Sequence, residues 1–499
     1  MDTRIALRSV TLITGFLIML VSGALFAFSS IGEDLETRFQ YTSQQVNFIS
    51  AFGNAALYLC YLAVGPIYDA RGPVVTMIVG AVTFGAGFLC MSLAYDGSIT
   101  GGGAGYGAMA FYYFVCGFGS TAVYMAALAV NMANFPITLG GMISGSLGLA
   151  YALSATLYSQ IRASYYAQDV SGYLHFVTVS VFAVSIAGAF SLFKVPLTMA
   201  EQARPKGPEK VQVVVADKFH IGSTNTIDER SHIIQPRLSA TKQAPWGSKH
   251  HLGADDEAMT ASPKRVSVAK PGPAPEVEGM TPLEILKSPL FHIYATICIF
   301  QQGLTYYSNV ATIVQALHPN TDTASSIATH VTILSIAGCF GRLGFGGGSD
   351  VMIKYLRLDR SLLLLVATVI QWIPLFILGF GGNVSDGALM LCSVMVGVGY
   401  GASGSLFPAL IADFFGFKSY GTASAFTLIG CPVGIFLSNM LFGYFNDRAT
   451  QQNCSGSACY QSAFIVFVGL QAVTVLLSCA LYWKRGRDKR RALGLVHPM

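Results

Sequence analysis

Polar side chains recur in the long apolar runs of this chain at intervals of three, four or seven residues. That spacing gathers them on one face of a helix. Tyr113, Ser120, Tyr124 and Asn131 share such a face, with Gly117 on it; Tyr151, Ser154 and Tyr158 form a second set, and Gln302, Tyr306 and Asn309 a third. Shorter sets are Ser22 with Phe26, Asn47 with Asn54 and Tyr58, and Tyr400 with Ser403. Phenols, amides and hydroxyls can hold a small solute with few charges, or they can bond one helix to the next. Two amides and a phenol on one face favour the solute for the third set. The candidate binding residues are therefore Tyr113, Ser120, Tyr124, Tyr151, Gln302, Tyr306, Asn309 and Tyr400.

Charge is scarce in the same runs, so each occurrence carries information. Arg342 is the one arginine in the body of a run. It reads either as a structural partner of Asp350 or as an anion-binding group, and the sequence favours the first. A G-x-x-x-D pattern ends two runs: Gly65 to Asp69, followed by Arg71, and Gly346 to Asp350, followed by Lys354. The glycine admits a close neighbouring helix. The carboxylate can pair with a basic loop residue or with the N-terminus of a nearby helix. Asp69, Arg71, Arg342, Asp350 and Asp413 are assigned on this basis to gating contacts that break and re-form. His330 can titrate near neutral pH, but a lone histidine near the start of a run reads as structural.

The elements that must hold these residues are membrane helices. Of 499 residues, 53% are hydrophobic and only 11% charged, against about 25% charged in a soluble domain. Soluble enzymes, nucleic-acid binders and disulfide scaffolds are excluded, and a net charge of +5 is too small to point to a polyanion. A crossing takes about 20 apolar residues. Such runs occupy 9–30, 46–68, 74–94, 107–130, 139–161 and 174–193, then 290–317, 328–348, 362–380, 388–411, 423–444 and 462–483. The expected fold is all-α and integral to the membrane: twelve transmembrane helices as two pseudo-symmetric six-helix bundles. The bundles are 1–195 and 288–499, joined by a largely disordered cytoplasmic linker over 196–287 that is rich in Pro, Ser and mixed charge. Twelve crossings put both ends on one side, with Arg4, Arg8, Arg71, Lys354, Arg357, Arg360, Lys418 and the basic tail; the opposite loops carry only Arg38, Arg162 and Arg448. Positive residues stay inside, so the termini are expected in the cytoplasm. A plasma membrane and a vacuolar or other endomembrane fit equally. Eight of ten cysteines lie in apolar runs as packing residues; Cys454 and Cys459 lie together in a polar segment, where a disulfide and two free thiols both remain open.

The halves echo each other. Besides the paired G-x-x-x-D ends, Asn134-Phe-Pro136 with Gly140, Gly141 and Gly145 faces Phe414-Phe-Gly416 with Gly421. Repeats of this kind build two bundles with a site between them near the bilayer midplane. With six plus six helices and a long central loop, the chain resembles the major facilitator superfamily. More narrowly, Asn134-Phe-Pro136 before Gly148-Leu-Ala-Tyr-Ala-Leu-Ser154, Thr281-Pro-Leu-Glu284, and Leu406-Phe-Pro408 with Asp413-Phe-Phe-Gly416 resemble the nodulin-like and monocarboxylate-transporter-homologue branch. The resemblance implies a secondary transporter that moves a solute by alternating access. It also marks departures. Leu139-Gly140 stands where the family has Arg-Gly, and Ser144 where a Lys is common. Proton-linked monocarboxylate transporters carry a Lys in the first span and an Asp four residues before the arginine of the eighth. The first span here has no Lys, and Gly338 stands four before Arg342.

Glycine strings at Gly117–Gly119 and Gly397–Gly404 lie inside apolar runs with no preceding strand, so they pack helices and do not cradle a dinucleotide. No phosphate loop, metal cluster or nucleophile–base pair appears. The expectation is a non-enzymatic secondary transporter of a small organic solute, without cofactor or nucleic-acid partner, embedded in lipid and working as a monomer. The rivals are a proton-linked monocarboxylate symporter that uses Arg342, and a non-transporting receptor on the same fold. The sequons at Asn383 and Asn453 fall in loops opposite the termini.

Overall fold

A crossing needs about 30 Å of helix, and the chain supplies it repeatedly. The computed structural model describes residues 3–197, 279–301, 303–318, 324–356, 358–452 and 454–492; most of the expected linker, and Gln302, lie outside them. Ten helices are long and apolar enough to cross a membrane. One of these, Gln45–Tyr95, runs 51 residues and holds two crossings, because Gly72 interrupts it with φ at 78°. Only glycine takes that left-handed conformation without steric cost, and Pro73 then opens the next helix where its missing N–H is not needed. The remaining crossing is split at Gln301 into Pro289–Phe300 and Gly303–Leu317. The fold is thus all-α, twelve helices in two bundles of six, with no strand among the described residues.

In chain order, span one is Thr3–Phe28, spans two and three share Gln45–Tyr95, four is Tyr106–Asn134, five Ile137–Tyr165 and six Val170–Ser191. Span seven is the split helix. Span eight is Ser325–Leu356, nine Ser361–Phe380, ten Asp386–Phe415, eleven Tyr420–Gln451 and twelve Gln461–Asp488. An even number of crossings puts both chain ends on one side, the terminal side; the other is the far side. The two halves belong to one compact unit. Spans one and seven, which open the two halves, both lose regular α-helix midway. Span one tightens into a 3₁₀ helix over Gly23–Ser30, and span seven breaks outright.

On the far side a short helix, Gly32–Phe39, brings Asp34 within 3.0 Å of the buried Arg162. Cys454 and Cys459 are joined in a disulfide there. The Asn383 side chain accepts the Ser457 N–H at 3.1 Å, so that sequon amide braces a loop; Asn453 lies outside the described residues.

Candidate functional site

Between the halves lies a cavity of about 180 Å³. Phe26, Tyr58, Tyr61, Tyr124 and Tyr151 face it from the first half; Gln301, Arg342, Tyr400 and Ser403 face it from the second. The first-half wall is aromatic and interlocked: Tyr124 meets Tyr151 edge-on at 4.8 Å between ring centres, and Phe26 meets Tyr151 at 5.4 Å. Opposite, the Arg342 guanidinium lies 5.7 Å from the centre of the Tyr400 ring, in cation–π range. Among the described residues, no carboxylate lines this cavity. Among the described residues Arg342 makes no side-chain hydrogen bond or ion pair, which leaves a half-buried cation aimed into an aromatic chamber.

The geometry revises several assignments. Tyr124, Tyr151 and Tyr400 reach the cavity. Tyr113 does not: it is buried inside the first bundle and its hydroxyl donates to the Leu25 carbonyl. Ser120 donates to the Ser22 carbonyl at 2.7 Å, bonding span four to span one. Tyr306 bonds Ser393 at 2.8 Å, and Asn309 bonds the Asn439 side chain at 2.9 Å, both within the second bundle. Their helix spacing was sound, but it assumed an unbroken span seven. The break turns Gln301 inward, where Ser403 accepts its amide N–H at 2.5 Å and Gln371 accepts at 3.3 Å. Gln302 lies outside the described residues. Arg342 lines the cavity and does not pair with Asp350, which is two turns further on and has other partners. Tyr61 and Gln301 went unnoticed in the sequence; a pair of glutamines in an otherwise apolar helix was the available signal for the second.

Those partners form a pseudo-symmetric pair of contacts on the terminal side. The Asp69 carboxylate accepts the N–H groups of Gly421 and Thr422 at 2.9 and 2.7 Å, capping span eleven of the opposite half. The Asp350 carboxylate accepts those of Gly141 and Met142 at 3.0 and 2.6 Å, capping span five. Helix N-termini expose unpaired N–H groups and a partial positive charge, so a carboxylate fits them. The glycines of both motifs permit the approach: a Cβ on Gly65 would collide with the Gly421 carbonyl, and one on Gly346 with the Gly141 carbonyl. Every hydrogen bond found between the halves among the described residues lies on this side; Ser144 to the Ser405 carbonyl at 2.6 Å is another.

The two contacts are not equally built. Arg360, fully buried at the start of span nine, bonds Asp350 at 2.5 Å and Asp413 at 2.7 Å, and donates to the Ile137 carbonyl of the other half. Burial works against its charge, but Asp413 and Asp350 outweigh that and hold its pKa above the ordinary arginine value. Asp413 is thus placed at this contact, through Arg360. In the first half, Asn134 at the end of span four ties down the chain after span six through Phe193 and Val195. Arg71 is exposed and makes no ion pair with Asp69 among the described residues. In the sequence Arg360 counts only as a charge that sets topology, since ten residues separate it from Asp350.

The family model described as Major Facilitator Superfamily matches residues 10–378, and one described as NFD4, C-terminal domain, matches 278–489. A probable transporter mch1 of Neurospora crassa is 23% identical, covering 98% of this chain and 91% of that protein. A probable transporter MCH1 of Wickerhamomyces anomalus is 22% identical over 96% and 88%. Among solved structures, a double-tryptophan mutant of XylE matches with a TM-score of 0.62 at 12% identity, covering 96% of each chain. The Escherichia coli fucose:proton symporter FucP matches with 0.56 at 15%, covering 94% of this chain and 99% of that one. Such low identities speak for the fold alone. The model match over most of the chain speaks for the family: this multi-pass, non-enzymatic secondary transporter belongs to the Major Facilitator Superfamily.

Proposed function

We propose that the protein carries a small organic anion through the central cavity by alternating access, with Arg342 as the ligand of the anionic group. The observation that carries this reading is the Arg342 guanidinium, uncompensated in a cavity that no carboxylate lines among the described residues. A cation held at membrane depth is costly unless an anion meets it. A solute with one negative group supplies that anion, and its body fits against Tyr124, Tyr151 and Phe26. Gln301, Ser403 and the phenols of Tyr58, Tyr61 and Tyr400 orient the remaining polar atoms. Asp69, Asp350, Asp413 and Arg360 close the terminal side; release of both helix caps opens it. The whole cavity lies within one chain, so a monomer suffices. The positive-residue bias supports cytoplasmic termini.

The test is ligand-induced thermal stabilisation of the purified protein across small organic acids and matched neutral compounds. Binding to the folded state raises the melting temperature. Acids stabilise the natural protein, and Arg342→Gln loses their effect alone. Equal loss for acids and neutral compounds makes Arg342 structural and defeats the reading.

A further inference from the structure

Histidine is rare inside the spans, and one takes no part in the cavity or the terminal-side contacts. His330, on span eight, is 1% exposed. Its Nδ1 lies 2.9 Å from the Ser393 hydroxyl of span ten, and the same hydroxyl lies 2.8 Å from the phenol of Tyr306 on span seven. Three helices of the second half thus meet at one serine oxygen, with an imidazole at one end of the chain and a phenol at the other. We propose that His330, Ser393 and Tyr306 form a proton-binding site that couples proton entry to solute movement. This rests on the transport reading above.

The chemistry follows from the hydrogen-bond inventory. In the tautomer protonated at Nε2, the neutral imidazole accepts the Ser393 O–H at Nδ1. Once Nδ1 takes a proton it can only donate, so Ser393 must accept and its own O–H must turn. The Leu389 carbonyl, one helical turn back and 3.5 Å from the Tyr306 hydroxyl, is the next acceptor. Loss of the proton reverses each step, and no other bond forms or breaks. The surroundings suit a group that changes charge. Asp386, two turns before Ser393 on span ten, is the charged group of these surroundings, and it is paired at 2.8 Å with His318 at the end of span seven. Cys392, Tyr306 and Tyr460 are the other titratable groups of this cluster, and all three are neutral near pH 7.

Span eight supplies the link to the solute. It carries His330, then Arg342 about 18 Å along the helix, then Asp350 about 12 Å further. Ser393 and Tyr400 lie two turns apart on span ten, and Tyr400 is the ring against Arg342. A change of hydrogen bonding at Ser393 therefore acts on the two helices that present the cation and its aromatic neighbour. Tyr306 lies in the outer half of span seven, just past the break.

Two measurements on the full chain test this. The first needs no solute: exchange of the imidazole C2 hydrogen, followed by mass spectrometry, reports the titration of His330 in the reconstituted protein. We expect a titration whose midpoint moves in Ser393→Ala. A His330 that shows no titration, or one indifferent to Ser393→Ala, overturns the proposal. The second uses labelled pyruvate, an acid ionised throughout this range, in proteoliposomes at about pH 6.5 outside and 7.5 inside. Accumulation of up to about tenfold per pH unit is expected at one proton per solute. His330→Gln should hold accumulation near onefold and keep pyruvate counterflow at equal pH. Gradient-driven accumulation that survives in His330→Gln also overturns the proposal. An absence of pyruvate counterflow in the natural protein counts against the transport reading instead, and the His330 titration then decides alone.

Discussion

Tyr113 and Tyr151 look alike in the sequence, yet they do different work. The Tyr113 hydroxyl is spent on the Leu25 carbonyl inside one bundle, whereas Tyr151 stands in the cavity wall against Tyr124. Removing the first hydroxyl takes away one buried hydrogen bond, which costs about 0.5–1.5 kcal/mol. Tyr113→Phe should therefore lower the melting temperature and leave the apparent KM for solute unchanged. Tyr151→Ala opens the aromatic wall and should raise that KM several-fold with little change in melting temperature, as read by initial uptake rates in proteoliposomes. Equal KM effects for the two would place Tyr113 at the solute after all. Helix periodicity could show that Tyr113, Ser120 and Tyr124 share a face; it could not show that the face is wide enough for Tyr124 to reach the cavity while Tyr113 and Ser120 bond span one. Arg342 was visible as an anomaly, but its separation from Asp350 was not. The competing guanidinium of Arg360 arrives from the next span, and only the fold brings it to Asp350.

At the level of elements, the two G-x-x-x-D helix ends were legible in advance because glycine and aspartate do a job that few other residues can. The sequence even held their receiving ends, Gly141 and Gly421, as a second echo. What it could not supply was the pairing, span two with span eleven and span eight with span five, which needs the halves face to face. An asparagine in place of either aspartate keeps one acceptor oxygen and loses the charge that faces the helix dipole, about 2 kcal/mol in a partly buried geometry. That shifts the balance between closed and open terminal side by about 30-fold. Asp69→Asn and Asp350→Asn should therefore slow initial uptake more than they lower expression, with the two combined slower still. Unchanged rates in both would show the caps to be dispensable. Arg360 predicts an asymmetry. Arg360→Ala strands two buried carboxylates, at about 3–5 kcal/mol, so it should lower the melting temperature more than Asp69→Asn does. Adding Asp413→Asn should recover part of that loss, since it removes one of the stranded charges.

For the whole molecule, composition alone announced an all-helical membrane protein, because 11% charged residues cannot cover a water-facing surface. The twelve runs hid two breaks. Hydropathy averages over a window and does not register the loss of helix at Gln301 or the 3₁₀ turn over Gly23–Ser30. Those breaks decide which side chains face the cavity. The remaining global property is sidedness, and it follows from charge. Arg8, Arg71, Lys354, Arg360, Lys418 and the basic end of span twelve share the terminal side, against Arg38, Arg162 and Arg448 on the far side. Tyr165 is 81% exposed at the far-side end of span five, and Leu283 is 62% exposed just before span seven on the terminal side. In sealed vesicles of known sidedness, with the unsubstituted chain as background, an impermeant maleimide applied from the non-cytoplasmic face should label Tyr165→Cys at once. Leu283→Cys should react only after permeabilisation. The opposite pattern would invert the molecule. The terminal-side caps, closed in this structure, would then seal the non-cytoplasmic entrance, and solute would load from the cytoplasm. Labelling of both positions from one face would break the even count of crossings on which the two-bundle symmetry, and the cavity between the bundles, depends.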